Sequence, residues 1–266
     1  MKRLGVFYGT DGLGEEIELL KRIGVLIKGE AVDWFIILCV LVPLSVGTYQ
    51  RNILWNSELA LWKDCVKKSP RKERSHHNLG YVYYELGRWD EASKEFEEAL
   101  KLNPHYALSV YNLGLISYRK GCVDTAIDLY KEAIKLDARF PYSFYNLGIA
   151  YYQKGFYKDA TRAFVKFVRL KPDYENAHNC LGLAYRGLGQ REQAIRSFRE
   201  ELKYHPENSY ADIYLGDIYR ESKDYSVALF HYKRALTRQD SSNAGKIRKA
   251  ISAIAIAQKN KTIRGG

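Results

Sequence analysis

The side chains that could do chemistry in this chain are few, and they are poorly spaced for it. Gly9, Gly12 and Gly14 follow a short apolar run from Leu4 to Tyr8, as the turn of a phosphate cradle does. Their order is G-x-x-G-x-G, whereas a dinucleotide site needs G-x-G-x-x-G inside a βαβ unit, and no second strand follows. The segment reads as a turn. His76 and His77 are adjacent, so on a helix they point to different faces and do not make the i, i+4 pair that holds zinc. Cys39, Cys65, Cys122 and Cys180 are scattered, with no C-x-x-C pair, which argues against a zinc site or a thioredoxin-type centre. There is no G-x-S-x-G, H-E-x-x-H or P-loop, and nothing places a base beside a nucleophile. The sequence assigns no catalytic residue, no metal ligand and no cofactor.

What it does supply is flat amphipathic surface. The chain has 22 Tyr among 266 residues, against 1 Met and 6 Pro, and Tyr offers an apolar ring with a polar tip. The net charge of +11 is uneven. Residues 1–50 sum to −1, 51–72 to +4, 73–242 to +2 and the last 24 residues to +6. The basic character lies in the flanks, whereas a nucleic-acid binder carries a basic stripe on its folded body. Binding to nucleic acid is therefore not expected.

The elements that must position these residues repeat. Asn-Leu-Gly ends at Gly80, Gly114 and Gly148, and Leu-Gly recurs at Gly182 and Gly216, each step being 34 residues. Twelve residues after each Gly comes Ala92, Ala126, Ala160, Ala194 or Ala228. Four further on comes Phe96, Tyr130, Phe164, Phe198 or Tyr232. Apolar residues recur at helical spacing, as in Leu79, Tyr83 and Leu86. Gly87, Gly121, Gly155 and Gly189 sit where a left-handed residue ends a helix. Asp90 and Asp124 suit the start of the following helix. Small Gly and Ala positions let two helices approach while the aromatic fills the gap between neighbours.

This pattern resembles the tetratricopeptide repeat signature over residues 73–242. The resemblance implies an all-α fold: a right-handed superhelical solenoid of helix-turn-helix units, 73–106, 107–140, 141–174, 175–208 and 209–242. The signature Trp is replaced by His76, Val110, Phe144, His178 and Asp212, and the closing Pro, present as Pro104, Pro172 and Pro206, by Ala138 and Asp240 in the other units. A late small position holds Phe167 and Glu201 in the third and fourth units, where looser or rearranged packing is expected. Residues 51–72 read as a linker and the second helix of an incomplete unit. Residues 243–266 read as a capping helix with the apolar stripe Ile247, Ala250, Ile251, Ile254 and Ala257, followed by a basic tail.

Upstream, the 17 residues from Trp34 to Gln50 carry no charge and would span about 25 Å as a helix. Trp34 and Tyr49 mark the two edges, as interfacial aromatics do. Residues 32–50 are expected to form a transmembrane helix, giving a single-pass membrane protein. A cleaved signal peptide fits less well, because the 33-residue leader holds six acids. Three basic residues on one side and four on the other leave orientation open. Residues 1–31 form an N-terminal segment in which Glu15 to Lys28 is amphipathic and suits an interfacial helix.

The stretch Tyr49-Gln50-Arg51-Asn52, Trp55, Leu61-Trp62-Lys63-Asp64 and Lys68-Ser69-Pro70 resembles the junction in membrane proteins that join a glycosyltransferase-type domain to such repeats. The transmembrane-and-tetratricopeptide O-mannosyltransferases are the known case. That resemblance implies an alternative role, as an accessory or C-terminal portion of a membrane glycosyltransferase system that recruits acceptor protein.

The repeat resemblance also implies which residues face the groove. At its sixth positions stand Asn78, Asn112 and Asn146, then Cys180 and Tyr214. An Asn amide both donates to and accepts from a peptide backbone. Around them lie His77, Tyr81, Tyr84, Tyr111, Tyr118, Tyr142, Tyr145 and Tyr152, rigid rings of the kind enriched at binding hot spots. The expected function is a membrane-anchored scaffold that binds a protein or extended peptide along this groove, and not an enzyme.

Overall fold

The structure, a computed structural model, describes residues 57–238 and 243–264. The chain divides into two units, Met1–Leu61 and Trp62–Gly266, and the repeats lie wholly in the second. The segments expected at 1–31 and 32–50 fall outside the described residues. Among the described residues no helix is long and apolar enough to cross a membrane. The longest, 21 residues over Ala244–Arg264, is interrupted by Lys246, Arg248 and Lys249 at its start and by Lys259, Lys261 and Arg264 at its end. The expected single-pass membrane localisation is corrected on this finding.

Among the described residues there are twelve α-helices and no strand. After α1 (Glu58–Lys68) come five hairpins. Their first helices are α2 (Glu73–Glu85), α4 (Ala107–Arg119), α6 (Pro141–Gln153), α8 (Ala177–Gly187) and α10 (Ser209–Glu221). Their second helices are α3 (Trp89–Leu102), α5 (Val123–Leu136), α7 (Tyr157–Leu170), α9 (Arg191–Tyr204) and α11 (Tyr225–Thr237). The helix α12 (Ala244–Arg264) closes the stack.

Each hairpin closes at one contact. A Cβ added to Gly80 would lie 2.9 Å from the Phe96 ring, and one on Gly114 would lie 2.7 Å from Tyr130. The same construction gives 2.7 Å from Gly148 to Phe164, 2.6 Å from Gly182 to Phe198 and 2.6 Å from Gly216 to Tyr232. These five rings are almost wholly buried, so none can swing aside into solvent. The missing Cβ therefore fixes how closely the two helices approach.

The turns follow one scheme. Gly87, Gly121, Gly155 and Gly189 have φ between 71° and 82°, and the N–H after each returns to the carbonyl five residues earlier, as in Arg88 to Tyr83 at 2.9 Å. That closes the orphan carbonyls of the first helix. In the fifth unit Lys223 takes the same role at φ 64°. Asp90 and Asp124 sit in the first turns of α3 and α5 but do not cap them. Their carboxylates accept from Lys120 (2.6 Å) and Lys154 of the following units. At the C-terminal end, Ile247 and Ile254 of α12 are buried on Ala228, Tyr232 and Ala235, so the last apolar face is covered as the stripe implied.

Changing Gly182 to Ala tests the closing contact. A helical Ala gains about 1 kcal/mol over Gly, while overpacking a filled core costs about 1–3 kcal/mol. The variant is expected to unfold at a lower urea midpoint than the parent. An unchanged or raised midpoint would show that the Phe198 ring yields.

Candidate protein-binding face

Neighbouring first helices touch directly, α2 on α4, α4 on α6 and α6 on α8, while neighbouring second helices do not approach to that extent. The first helices therefore line the tighter, inner side of the stack. Their side chains form two sets of periodic contacts that hold this face rigid.

The first set runs within each unit, from the fifth position to the last. His77 meets Tyr106 edge-on at 5.0 Å, Tyr111 meets Phe140 at 4.9 Å and Tyr145 meets Tyr174 at 5.5 Å. Edge-to-face pairs contribute about 0.5–1.5 kcal/mol beyond their buried area. The second set runs between units. Asn146 Nδ2 donates to Tyr111 Oη at 2.8 Å, and Tyr145 Oη lies 3.7 Å from Cys180 Sγ. His77 Nδ1 pairs with Ser109 Oγ at 3.0 Å. Phe167, expected to loosen the third unit, is fully buried and joins the rings of Tyr145 (4.8 Å), Tyr174 (5.2 Å) and Tyr142 (6.3 Å). Packing there is rearranged into an aromatic cluster.

In the fourth unit the ladder turns polar. Glu201 is fully buried, and its carboxylate accepts from the backbone N–H of Asn176 (2.7 Å), His178 (3.1 Å) and Asn179 (3.3 Å). Those groups are the orphan donors at the start of α8, where a negative charge is favoured. Asn179 Nδ2 donates to Asn208 Oδ1 at 3.1 Å, across the two positions that hold aromatic pairs in the first three units. Asn208 Oδ1 also accepts from Ala211 N at 3.1 Å and so caps α10. Asn176 takes φ 65°, and α8 starts at Ala177, two residues later in the period than α6 at Pro141. The polar residues thus replace the aromatic ladder as a set.

The signature-Trp positions are also polar at both ends. In the first unit His76 Nδ1 lies 2.8 Å from the Glu95 carboxylate. In the fifth, the acid and the imidazole exchange places, with Asp212 Oδ1 2.8 Å from His231 Nδ1. Asp212 is fully buried and also accepts from Arg234 and Arg238. Burial alone would raise its pKa, but the bonds from His231 and Arg234 outweigh that and hold the carboxyl below its ordinary value.

The structure sorts the expected groove residues into locked and available ones. His77 is buried against Phe96 and Tyr106, and burial pushes its pKa down to about 4. Tyr111 and Tyr145 belong to the ladder, and burial raises both hydroxyls well above the ordinary value. Tyr142 is half-buried between Phe140 (5.6 Å) and Tyr174 (5.8 Å). Asn146 spends its amide hydrogens on Tyr111 and on the carbonyl of Tyr142. Asn78 is half-buried and Asn112 buried, and neither side chain makes a hydrogen bond within the described residues. Tyr81 is 48% exposed and stacks on Tyr84 at 6.4 Å. Arg119 Nε donates to Tyr84 Oη at 2.8 Å. Tyr118 is half-buried, and Tyr152 is exposed beside Tyr157 at 5.4 Å. Among the described residues no group of three or more His, Cys, Asp or Glu is placed to hold a metal ion.

A family model described as tetratricopeptide repeat matches residues 77–143 and 179–244, together half of the chain. A crystal structure described as "YrrB: a TPR protein with an unusual peptide-binding site" is similar with a TM-score of 0.63 at 19% identity, covering 71% of this chain and 97% of that one. A second, "MamA 41-end from Desulfovibrio magneticus RS-1", is similar with a TM-score of 0.60 at 22% identity, covering 64% of this chain and 97% of that one. At these identities the likeness shows the fold. No curated protein matches the chain. None of these findings supports the resemblance of the stretch from Tyr49 to Pro70 to a glycosyltransferase junction.

Two measurements test this geometry. Glu201→Ala restores the small residue of Ala99, Ala133 and Ala235 but orphans buried donors, and hydrogen bonds to charged groups contribute about 1.5–3 kcal/mol each. A loss of about 3 kcal/mol in urea unfolding is expected, and a neutral result would mean that water replaces the carboxylate. His77 has a folded pKa of about 4, below its unfolded value of 6.5. The unfolded chain therefore takes up the proton first, and stability falls as pH drops from 6.5 towards 4. The loss reaches about 3 kcal/mol. His77→Tyr, the residue of the next two units, is expected to remove this part of the pH dependence.

Proposed function

The chain belongs to the tetratricopeptide repeat family, and on that premise we propose that it is a binding scaffold whose inner face captures an extended peptide segment of a partner protein. One observation carries this reading. Tyr84, Tyr118 and Tyr152 occupy the same position of three consecutive units, all at least partly open to solvent, with Tyr81 exposed beside the first. The rings deeper in the face are tied into the ladder, so this row stands on a rigid base. At the same position the last two units carry Arg186 and Arg220, engaged by Glu221 and Asp217. The Tyr row is therefore three units long.

Such a row provides contact area with little rotamer entropy left to lose. The amides of Asn78 and Asn112, which bond to nothing within the described residues, are suited to the backbone of the bound segment. Asn146 contributes differently: its amide hydrogens go to Tyr111 Oη and the Tyr142 carbonyl, leaving its own carbonyl oxygen to accept. Binding along this face involves no covalent step.

Random peptides displayed on phage and selected on the parent protein provide the ligands for a test. Their affinity is then measured for Tyr81→Ala with Tyr84→Ala, and for Asn78→Ala with Asn112→Ala. Truncation of a hot-spot ring costs about 2 kcal/mol, so the Tyr variant is expected to bind about 30-fold more weakly. The Asn variant is expected to weaken binding of unrelated sequences alike. Selected peptides that bind both variants as tightly as the parent would overturn the reading.

A further inference from the structure

The outer side of the stack carries two clefts that the inner-face reading does not use. One lies between α5 and α7, with a volume of about 590 Å³. Its floor is Phe144, Leu147 and Tyr151 of α6, and its rim holds Lys131, Lys166 and Arg169. The other lies between α9 and α11, about 510 Å³, lined by Leu202 and Phe230 with Arg199, Lys203 and Arg234.

The two clefts are built from the same repeat positions, two units apart. Lys131 and Arg199 stand at position 25 of their units, Ile134 and Leu202 at position 28, and Lys166 and Arg234 at position 26 of the units that follow. The other two joints between units lack this set. Between the first and second units the corresponding residues are Glu97 and Glu132, and between the third and fourth they are Val165 and Glu200. In the two clefts a cation occupies both positions, beside apolar lining.

We infer that these clefts are docking sites for an acidic amphipathic helix of a partner protein. The charge is complementary, and in the first cleft part of it is uncommitted: Lys131 pairs with Asp128 at 3.5 Å and the lining Asp159 with Arg162 at 3.0 Å, while in the second Arg234 is held by Asp212 and Arg199 donates to Tyr219 Oη. Lys166 and Arg169 are exposed and make no ion pair within the described residues. Phe230 is 58% exposed. The shape also fits a helix. Phe144, Leu147 and Tyr151 follow one another along α6 at i, i+3 and i+7, a strip of about 10 Å that matches two turns of a helix laid beside it. Carboxylates flanking the ligand's apolar stripe then reach the cations on both rims. A partner with two such helices engages both clefts of one chain, and gains by effective concentration.

The probe is a fluorescent peptide of about 14 residues with leucine at helical spacing and glutamate elsewhere. Fluorescence anisotropy is compared with a leucine-scrambled peptide and with a lysine-for-glutamate version. The structure leads us to expect two bound peptides per chain, binding that weakens with salt, and affinity at least about tenfold above both controls. Lys166→Glu with Arg169→Glu should remove one site, and Arg199→Glu with Lys203→Glu the other, with circular dichroism melting unchanged. The inner-face Tyr81→Ala, Tyr84→Ala protein should bind the probe normally, which separates this inference from the peptide-capture reading. Equal binding of the scrambled peptide would reduce the clefts to charged surface and overturn the inference. Unchanged affinity in the charge-reversed proteins would overturn it too. So would self-association of the parent that charge reversal abolishes, since a second copy would then be the occupant.

Discussion

Every hairpin in this protein depends on the contact between a glycine and an aromatic ring. At Gly80, Gly114, Gly148, Gly182 and Gly216 the backbone of the first helix lies against a ring of the second, closer than any Cβ allows. That approach sets the interhelical distance, and the distance sets where all other side chains emerge. Because the contact recurs every 34 residues, the hairpins stack in register and the first helices share one side. A single hairpin would leave its other apolar face in water; stacking buries it, and Ile247 and Ile254 of α12 do so for the last one.

The architecture was legible because its causes repeat. The left-handed glycines, the Ala and aromatic positions and the capping stripe are each visible as a residue type at a fixed offset. Asp90 and Asp124 were legible as helix starts but not as partners of the next unit's lysines, since that bond spans 30 residues. The membrane expectation rested on the hydropathy of residues 34–50, which are not among those described.

The inner face was legible only in part. The Asn and Tyr rows were visible, but not which members are spent on holding the face itself. Asn146 and Tyr111 stand at positions suited to a ligand and use their polar atoms on each other. Single positions compared across units do not show this, because the pairing runs from position six of one unit to position five of the one before. Glu201 was visible as an exception to the small-residue rule, yet its meaning lies in Asn176, Asn179 and Asn208. Read along the period, each is an isolated departure. Read together within one unit, they are a carboxylate, the helix start it caps and the amides that close around it.

All members of that polar set belong to the fourth unit, between residues 175 and 208. The set therefore travels as a cassette. A gene segment encoding this unit, duplicated or moved elsewhere in the array, would carry the acid and the donors it satisfies together. A crossover inside the unit would separate them and leave a charge or a row of amides buried alone. A cut at the end of the unit, by contrast, would keep the acid with its donors and separate only the Asn208 side chain from the Ala211 N–H that it caps in the next unit.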